Sequence, residues 1–181
     1  MNSEDRILVE NCLNNDRRAQ KQLVNQYGPA MYAIISRYQT KTDEAEDILQ
    51  QVFILVFQNL PKFRFDCTIG AWIKKITLHT IFKKHKIKWN NAVDHHDQTT
   101  FPESSWAPEI ESTIEYNVLL ETIHKLPPMY KEIFFLYTID GFSHQEIANL
   151  LDISSTASRS RLFRAKELLQ EMVSGLYQMH H

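Results

Sequence analysis

Residues 141–166 read GFSHQEIANLLDISSTASRSRLFRAK, and this stretch predicts two helices joined by a tight turn. Ser143 is a suitable N-cap for the first helix, and Glu146, three residues later, completes a capping box. Asp152 fits the turn between the helices, because a short polar side chain tolerates left-handed backbone. Together these features predict a helix-turn-helix.

The second helix of this stretch, capped by Ser154 or Ser155, has two distinct faces. The face expected to be buried carries apolar residues at helical spacing, namely Leu162, Ala165, Leu169 and Met172. The face expected to point outward carries Thr156, Arg159, Ser160, Phe163, Arg164 and Glu167. Arginine and small polar groups suit the DNA major groove, where Arg reads guanine and apolar groups contact the thymine methyl. A solvated amphipathic helix at the end of a bundle is the alternative.

The overall composition is that of an ordinary soluble protein. The 181 residues are 43% hydrophobic and 23% charged, which allows two small domains. Only 4 residues are Gly, which disfavours an all-β fold rich in tight turns. No apolar run is long enough for a membrane span, and the N-terminus lacks the form of a signal peptide. Cys12 and Cys67 lie far apart and are expected to be thiols, so we expect a cytoplasmic protein without membrane insertion.

The charge is distributed unevenly along the chain. The formal net charge is −2, yet residues 1–88 carry +5, residues 89–115 carry −6 and residues 116–181 carry −1. The bases of the last segment cluster at 159–166. This asymmetry is typical of nucleic-acid binding, although the total charge conceals it.

A second strong helix is predicted to begin at Thr42. Its expected core face consists of Ala45, Ile48, Leu49, Val52, Leu55, Val56 and Leu60. The opposite face carries Asp47, Gln50, Gln51, Phe53, Ile54 and Phe57. Apolar residues beside carboxylate and amide groups on an outward face indicate a protein contact. Crowded core packing is an equally open alternative.

The segment that follows combines basic and aromatic residues. The loop 61–67 reads PKFRFDC, and the predicted helix 68–86 carries Trp72 with several lysines. Aromatic rings stack on unpaired bases while cations hold the phosphate backbone. We therefore expect this segment to bind unstacked nucleic acid, and a hydrophobic plug is the alternative for the loop aromatics.

Residues 89–113 are expected to form an extended linker, because polar residues, Pro102 and Pro108 interrupt any apolar period. The pair His95-His96 could suggest a metal site. Since no third ligand stands at usable spacing, a solvated loop is favoured.

Four sequence blocks resemble those of the extracytoplasmic-function (ECF) sigma factors of bacterial RNA polymerase. They read GFSHxEIAxxL, SRLxRAK, EAEDILQQVF and LPPMYKEIF, with x for any residue. The resemblance implies an all-α protein of two small helical domains, 1–88 and 114–181, joined by the acidic linker 89–113. The second domain would be the helix-turn-helix domain. The chain departs from the family at Asp152, where Gly is frequent, and at His79 and Lys83, where Asn and Asp are common.

The resemblance also implies three binding surfaces. Contact with core RNA polymerase would involve Asp47, Gln50, Gln51, Phe53 and Ile54. The −10 promoter element would be bound by Lys62, Phe63, Arg64, Phe65, Trp72, Lys75, His79 and Lys83. The −35 element would be bound by Ser143, Ser155, Thr156, Arg159, Ser160, Phe163 and Arg164.

The function implied is that of a sigma factor, which directs core RNA polymerase to promoter DNA and helps to melt it. An anti-sigma factor is the further partner expected. We expect no catalytic residues, cofactor or metal, since no nucleophile triad, paired carboxylates or phosphate-binding Gly loop stands out. The alternatives are a helix-turn-helix regulator that acts without polymerase and a metal-dependent nucleic-acid enzyme.

Overall fold

The computed structural model describes residues 3–39, 41–89 and 116–179. Within these ranges the regular elements are helices, and the chain divides into two compact units, 1–93 and 94–181. The predicted fold class, two small helical domains, is therefore confirmed. The predicted linker falls almost entirely outside the described residues, as does the pair His95-His96.

The first unit is a bundle in which α3 packs against both α2 and α4. The helices are α1 (Ser3–Leu13), α2 (Arg17–Tyr38), α3 (Thr42–Asn59) and α4 (Ile69–Trp89). A short 3-10 turn, Leu60–Lys62, follows α3. The innermost side chains are fully buried and include Leu23, Ile35, Ile48, Val52, Val56, Ile73, Leu78 and Ile81. This apolar core holds the helices in place around α3.

The sequence Gly28-Pro29 predicts a kink or a short break, but α2 continues without a break from Arg17 to Tyr38. Pro29 lacks the N–H group that would bond one turn earlier, so the helix loses one hydrogen bond. Pro29 itself is exposed, while Gly28 faces inward and a Cβ there would lie 3.9 Å from the Phe53 ring. Packing of the buried face thus keeps the helix continuous across the proline.

The second unit contains the helix-turn-helix. Its helices are α5 (Tyr116–His124), α6 (Pro128–Phe134), α7 (His144–Leu151) and α8 (Ser155–Met179), and α6 continues into one turn of π-helix, Phe135–Ile139. The core of this unit includes Ile133, Phe135, Leu136, Ile147 and Ala165. Helix α8 packs on α6 and α7, so its outer face is presented by a rigid support.

The local signals of the helix-turn-helix act as predicted. Ser143 accepts a hydrogen bond from the Glu146 amide, and the Glu146 carboxylate accepts one from the Ser143 amide, which completes the capping box. Asp152 has left-handed backbone with φ 59° and ψ 49°. The Ser154 hydroxyl accepts a hydrogen bond of 3.0 Å from the Ala157 amide, so Ser154 rather than Ser155 caps α8.

Two glycines of this unit give opposite predictions for stability. Gly141 has φ 76° and open space around a hypothetical Cβ, so Gly141→Ala adds backbone strain alone, on the order of 1–2 kcal/mol. Gly175 lies within α8, also with open space, so Gly175→Ala should stabilise the fold by about 0.5–1 kcal/mol. Urea unfolding of the full chain, followed by circular dichroism, measures both changes. Equal effects of the two substitutions would contradict the left-handed conformation of Gly141.

Candidate functional surfaces

The outward face of α3 presents polar and apolar groups side by side. Asp47, Gln50 and Gln51 are exposed, and the Ile54 side chain is 56% exposed. An aliphatic side chain that remains so exposed beside a carboxylate and amides is suited to a contact with another protein. Four of the five residues predicted for polymerase contact therefore lie together on the surface.

The fifth residue, Phe53, is predicted on the outward face of α3 but is buried. Its side chain is only 6% exposed and packs near the backbone of α2 at Gly28. The absence of a side chain at Gly28 leaves room for the ring, which also lies 6.4 Å from the Phe57 ring. Phe53 therefore belongs to the core of the first unit, as the alternative of core packing describes.

The loop 61–67 presents its basic and aromatic residues differently. Lys62 and Arg64 are exposed, and the Phe63 amide donates a 3.0 Å hydrogen bond to the Leu60 carbonyl. Phe65 is half-buried and has left-handed backbone, with φ 63°. The cations are thus available to a phosphate backbone, and the Phe65 ring is partly accessible.

Phe63 is the centre of an aromatic cluster and not an accessible platform. Its side chain is 8% exposed, its ring lies 4.8 Å from the Phe65 ring and 5.1 Å from the Trp72 ring. The accessible ring expected at Phe63 is therefore not found, and this residue packs as the alternative of a hydrophobic plug describes. Its packing supports the two aromatic neighbours that remain partly exposed.

A groove of about 500 Å³ runs between α3 and α4. Its lining residues are Gln51, Leu55, Asn59, Trp72, Lys75, Ile76, His79, Thr80 and Lys83. Among them are the four α4 residues predicted to bind the −10 element, which the structure brings to one place. The lining holds two lysines and no carboxylate, so the groove favours an anionic ligand with an apolar or aromatic part.

The α3 wall of this groove was not recognised from the sequence. Gln51, Leu55 and Asn59 are spaced by four residues and so lie along one side of the helix. The sequence prediction places Gln51 on the outward face and Leu55 on the core face, and it assigns Asn59 to neither. Asn59 donates from its Nδ2 atom to the Leu55 carbonyl at 2.8 Å, which fixes the amide. Gln51 thus lies at the edge shared by the polymerase-contact face and the groove.

His79 lies in the groove as a polar group with reduced basicity. Burial, and then the charge of Lys75, hold the pKa of the His79 imidazole below its usual value. Both effects favour the neutral ring, which presents one donor and one acceptor. It can recognise a base edge by hydrogen bonding, while the neighbouring lysines supply positive charge.

The outer face of α8 carries the residues predicted for duplex DNA. Thr156, Arg159 and Arg164 are exposed, whereas Ser155, Ser160 and Phe163 are half-buried. Ser143 is exposed at the start of α7. Arg164 forms an ion pair of 3.0 Å with Glu167, one turn along the same helix. The two exposed arginines of this face therefore differ, because Arg164 is paired with a carboxylate and no ion pair of Arg159 is found among the described residues.

A polar contact joins the two helices of the helix-turn-helix at their interface. Ser158 is fully buried on α8, and its Oγ atom is hydrogen-bonded to the Nδ1 atom of His144 at 2.9 Å. The His144 ring stacks on Tyr137, with 4.5 Å between the ring centroids. The sequence prediction missed Ser158, which shares the helical period of the buried residues Leu162 and Ala165.

No helix in the described ranges has the length and apolarity needed to cross a membrane. In the same part of the chain, His, Cys, Asp and Glu side chains nowhere form a group of three suited to a metal ion.

Comparison with known families matches both units of the chain. The family described as Sigma-70 region 2 matches residues 23–91, and the family described as Sigma-70, region 4 matches residues 116–169. The first range spans α2 to α4, and the second spans α5 to most of α8. The two matches together cover more than half of the chain, including the residues of all three predicted binding surfaces.

Relatives and solved structures agree with these matches. The ECF RNA polymerase sigma-E factor of Haemophilus influenzae is 27% identical over 95% of this chain and 96% of its own length. Its counterpart in Escherichia coli K12 is also 27% identical, over 95% of each chain. CnrH, solved with the cytosolic domain of CnrY, has a similar fold with a TM-score of 0.53 at 21% identity, over 94% of this chain and 97% of its own. The structure of the sigma factor RpoE in complex with the anti-sigma factor NepR from Bartonella quintana is also similar, with a TM-score of 0.51 at 19% identity. The match covers 85% of this chain and 96% of the RpoE chain. From the family matches and these relatives, the chain belongs to the sigma-70 family of transcription initiation factors, as one of its ECF members.

Proposed function

We propose that this sigma factor binds core RNA polymerase through α3, brings it to promoters that carry −10 and −35 elements, and promotes melting of the DNA. The observation that carries the proposal is the groove between α3 and α4, which gathers Trp72, Lys75, His79 and Lys83 around one cavity. These residue types suit an unstacked nucleotide, because rings and aliphatic walls accept the base and lysines hold the phosphate.

The groove offers the chemical groups needed to discriminate between bases. His79, Gln51 and Asn59 supply hydrogen-bond donors and acceptors on opposite walls. Leu55 and Ile76 provide apolar contact between them. A base held between two such walls is recognised by its edge, while non-specific affinity comes from the lysines. We therefore assign selectivity at the −10 element to both helices rather than to α4 alone.

Melting requires that a base leave the stack, which costs a few kcal/mol. Stacking on an aromatic side chain returns about 1–3 kcal/mol per base. In the loop 61–67 the half-buried Phe65 is suited to this role, with the exposed Lys62 and Arg64 beside it to hold the phosphates. Buried Phe63 contributes by supporting Phe65 and Trp72 from below.

The −35 element is assigned to α8 and the start of α7. Arg159 and Thr156 are exposed on one face of α8, which has the length and rigidity of a recognition helix. Arg164 must exchange its pairing with Glu167 for a contact with DNA. Since an exposed ion pair is worth only about 0–1 kcal/mol, this exchange costs little.

An anti-sigma factor is a further partner in this proposal, because the solved complexes of CnrH and RpoE pair a similar fold with CnrY and NepR. The protein would act in the cytoplasm and would have no catalytic activity of its own. Polymerase would supply the chemistry of transcription, and the surfaces described above would supply recognition.

The proposal is tested by transcription with added core polymerase on a library of double-stranded templates with random sequence. The full chain should enrich templates that share two spaced elements. His79→Ala and Lys83→Ala should weaken the preference at the −10 element, whereas Lys21→Ala, which removes an exposed charge from α2, should not. Equal enrichment of the same templates by the chain alone, in a DNA-binding selection without polymerase, would instead support a regulator that acts alone.

The α3 face gives a second prediction. Ile54→Ala combined with Asp47→Ala should weaken binding to core polymerase at least tenfold, as expected when about 1.4 kcal/mol of contact is lost. The melting temperature should stay near that of the unmodified protein, because both side chains are exposed. Fluorescence anisotropy of the labelled chain with core polymerase measures the affinity.

Phe53→Ala is the matched control for this face. It should destabilise the fold by about 3–5 kcal/mol, as is usual for a buried aromatic residue. Low stability with unchanged polymerase affinity in the Asp47→Ala, Ile54→Ala variant would show that the exposed face is needed for folding and not for contact.

The two arginines of α8 are expected to differ. Arg159→Ala should cost about 1–3 kcal/mol in binding and relax selectivity at one position of the −35 element. Arg164→Ala should cost less, because the Glu167 pairing is lost on binding. Glu167→Ala should then strengthen binding slightly. Library selection with each variant holoenzyme reads out both affinity and selectivity, and unchanged −35 selectivity in Arg159→Ala would refute the assignment of this face.

A further inference from the structure

Helix α1 contacts the loop 61–67 through Arg6. The guanidinium carbon of Arg6 lies 5.5 Å from the centroid of the Phe65 ring, a cation–π distance. Glu10, one turn further along α1, holds the guanidinium through an ion pair of 3.0 Å to the Arg6 Nε atom. A residue 59 positions earlier in the sequence thus touches the ring assigned to base stacking.

Phe65 needs such support because of its backbone. Its φ of 63° lies in the left-handed region, which is uncommon for residues other than glycine and costs free energy for a bulky side chain. A strained conformation persists only where surrounding contacts hold it. For Phe65 these contacts are the Phe63 ring at 4.8 Å and the Arg6 cation.

Helix α1 is itself fixed independently of this contact. The Tyr27 hydroxyl donates a 2.9 Å hydrogen bond to the Asp5 carboxylate, next to Arg6. The Tyr27 ring lies so close to Gly70, at the start of α4, that a Cβ on Gly70 would be 3.0 Å from its Cε1 atom. Leu8, Val9 and Cys12 bury the other face of α1. These contacts hold α1 in place, so the position of the Arg6 guanidinium beside the loop does not depend on the cation–π contact alone.

We infer that Arg6 is a positioning residue for Phe65, through which α1 holds the loop 61–67 ready to receive an unstacked base. The inference rests on the base-stacking role proposed above for Phe65. A cation–π contact at an exposed site changes an equilibrium by a factor of about two to five. Without this contact Phe65 can adopt other backbone conformations. The loop must then be ordered when the base binds, which reduces the net free energy gained from stacking.

The positioning contact is tested first without DNA. Hydrogen exchange at the Phe63 backbone amide, which donates to the Leu60 carbonyl, should become about two to five times faster in Arg6→Ala, as expected for loss of an exposed cation–π contact. Arg6→Lys, which retains a cation, should stay close to the unmodified protein. Arg18→Ala removes the same charge from an exposed site of α2 and should leave the loop unchanged. Unchanged exchange in Arg6→Ala would overturn the inference.

The consequence for melting is tested with the holoenzyme. The template is one selected from the random library by the unmodified protein, and permanganate reactivity of unpaired thymines measures the open fraction. Arg6→Ala should lower this fraction by a factor of about two to five, Arg6→Lys should restore it, and Arg18→Ala should not change it. Phe65→Ala should lower it further, and adding Arg6→Ala to Phe65→Ala should cause no additional loss.

The results separate the inference from the proposed function. If Phe65→Ala impairs melting and Arg6→Ala does not, the positioning role of Arg6 is wrong while the role of the loop stands. If neither substitution changes melting although exchange in the loop is faster, base stacking by Phe65 is wrong and the inference falls with it. Losses that multiply in the double variant would show that Arg6 acts on DNA independently of Phe65, which also overturns the inference.

Discussion

The packing of α3 against both α2 and α4 is the constraint on which the first unit depends. Ile48, Val52 and Val56 line the inner side of α3 and are completely buried. Each such side chain contributes about 1.5–3 kcal/mol through removal from water. Burial of one side of α3 fixes the direction in which its other side chains point. This packing therefore places the predicted polymerase-contact face on one flank of the helix and the groove on another. Both surfaces therefore share one support.

The second unit depends on polar contacts as much as on its core. The capping box at Ser143 fixes where α7 begins, and the left-handed Asp152 fixes where it ends. Between the helices, the hydrogen bond of His144 to the buried Ser158 satisfies a hydroxyl that would otherwise cost free energy. These contacts set the angle between α7 and α8, and so they fix how α8 presents its outer face.

The helices, the capping box and the sidedness of α8 could be predicted from the sequence, since each depends on residues close together in the chain. The burial of Phe53 and Phe63 could not be predicted from the sequence. A helical period shows only which residues share a side of one helix. Phe53 packs into the space beside Gly28 of α2, and Phe63 packs on the Trp72 ring of α4, so both contacts come from other helices. A break at Pro29, one of the two outcomes expected there, does not occur, because core packing on α2 outweighs one absent hydrogen bond.

The ion pair of Arg164 with Glu167 has a consequence for salt dependence. A cation that binds a phosphate releases condensed counterions, and each such contact steepens the fall of affinity with salt. In the proposed complex Arg164 would exchange the Glu167 carboxylate for a phosphate, and the carboxylate left beside the DNA would offset part of the counterion release. Within the described part of the chain Arg159 has no ion pair. With the contacts proposed above, the affinity of the helix-turn-helix for DNA would be less sensitive to ionic strength than its number of arginines suggests.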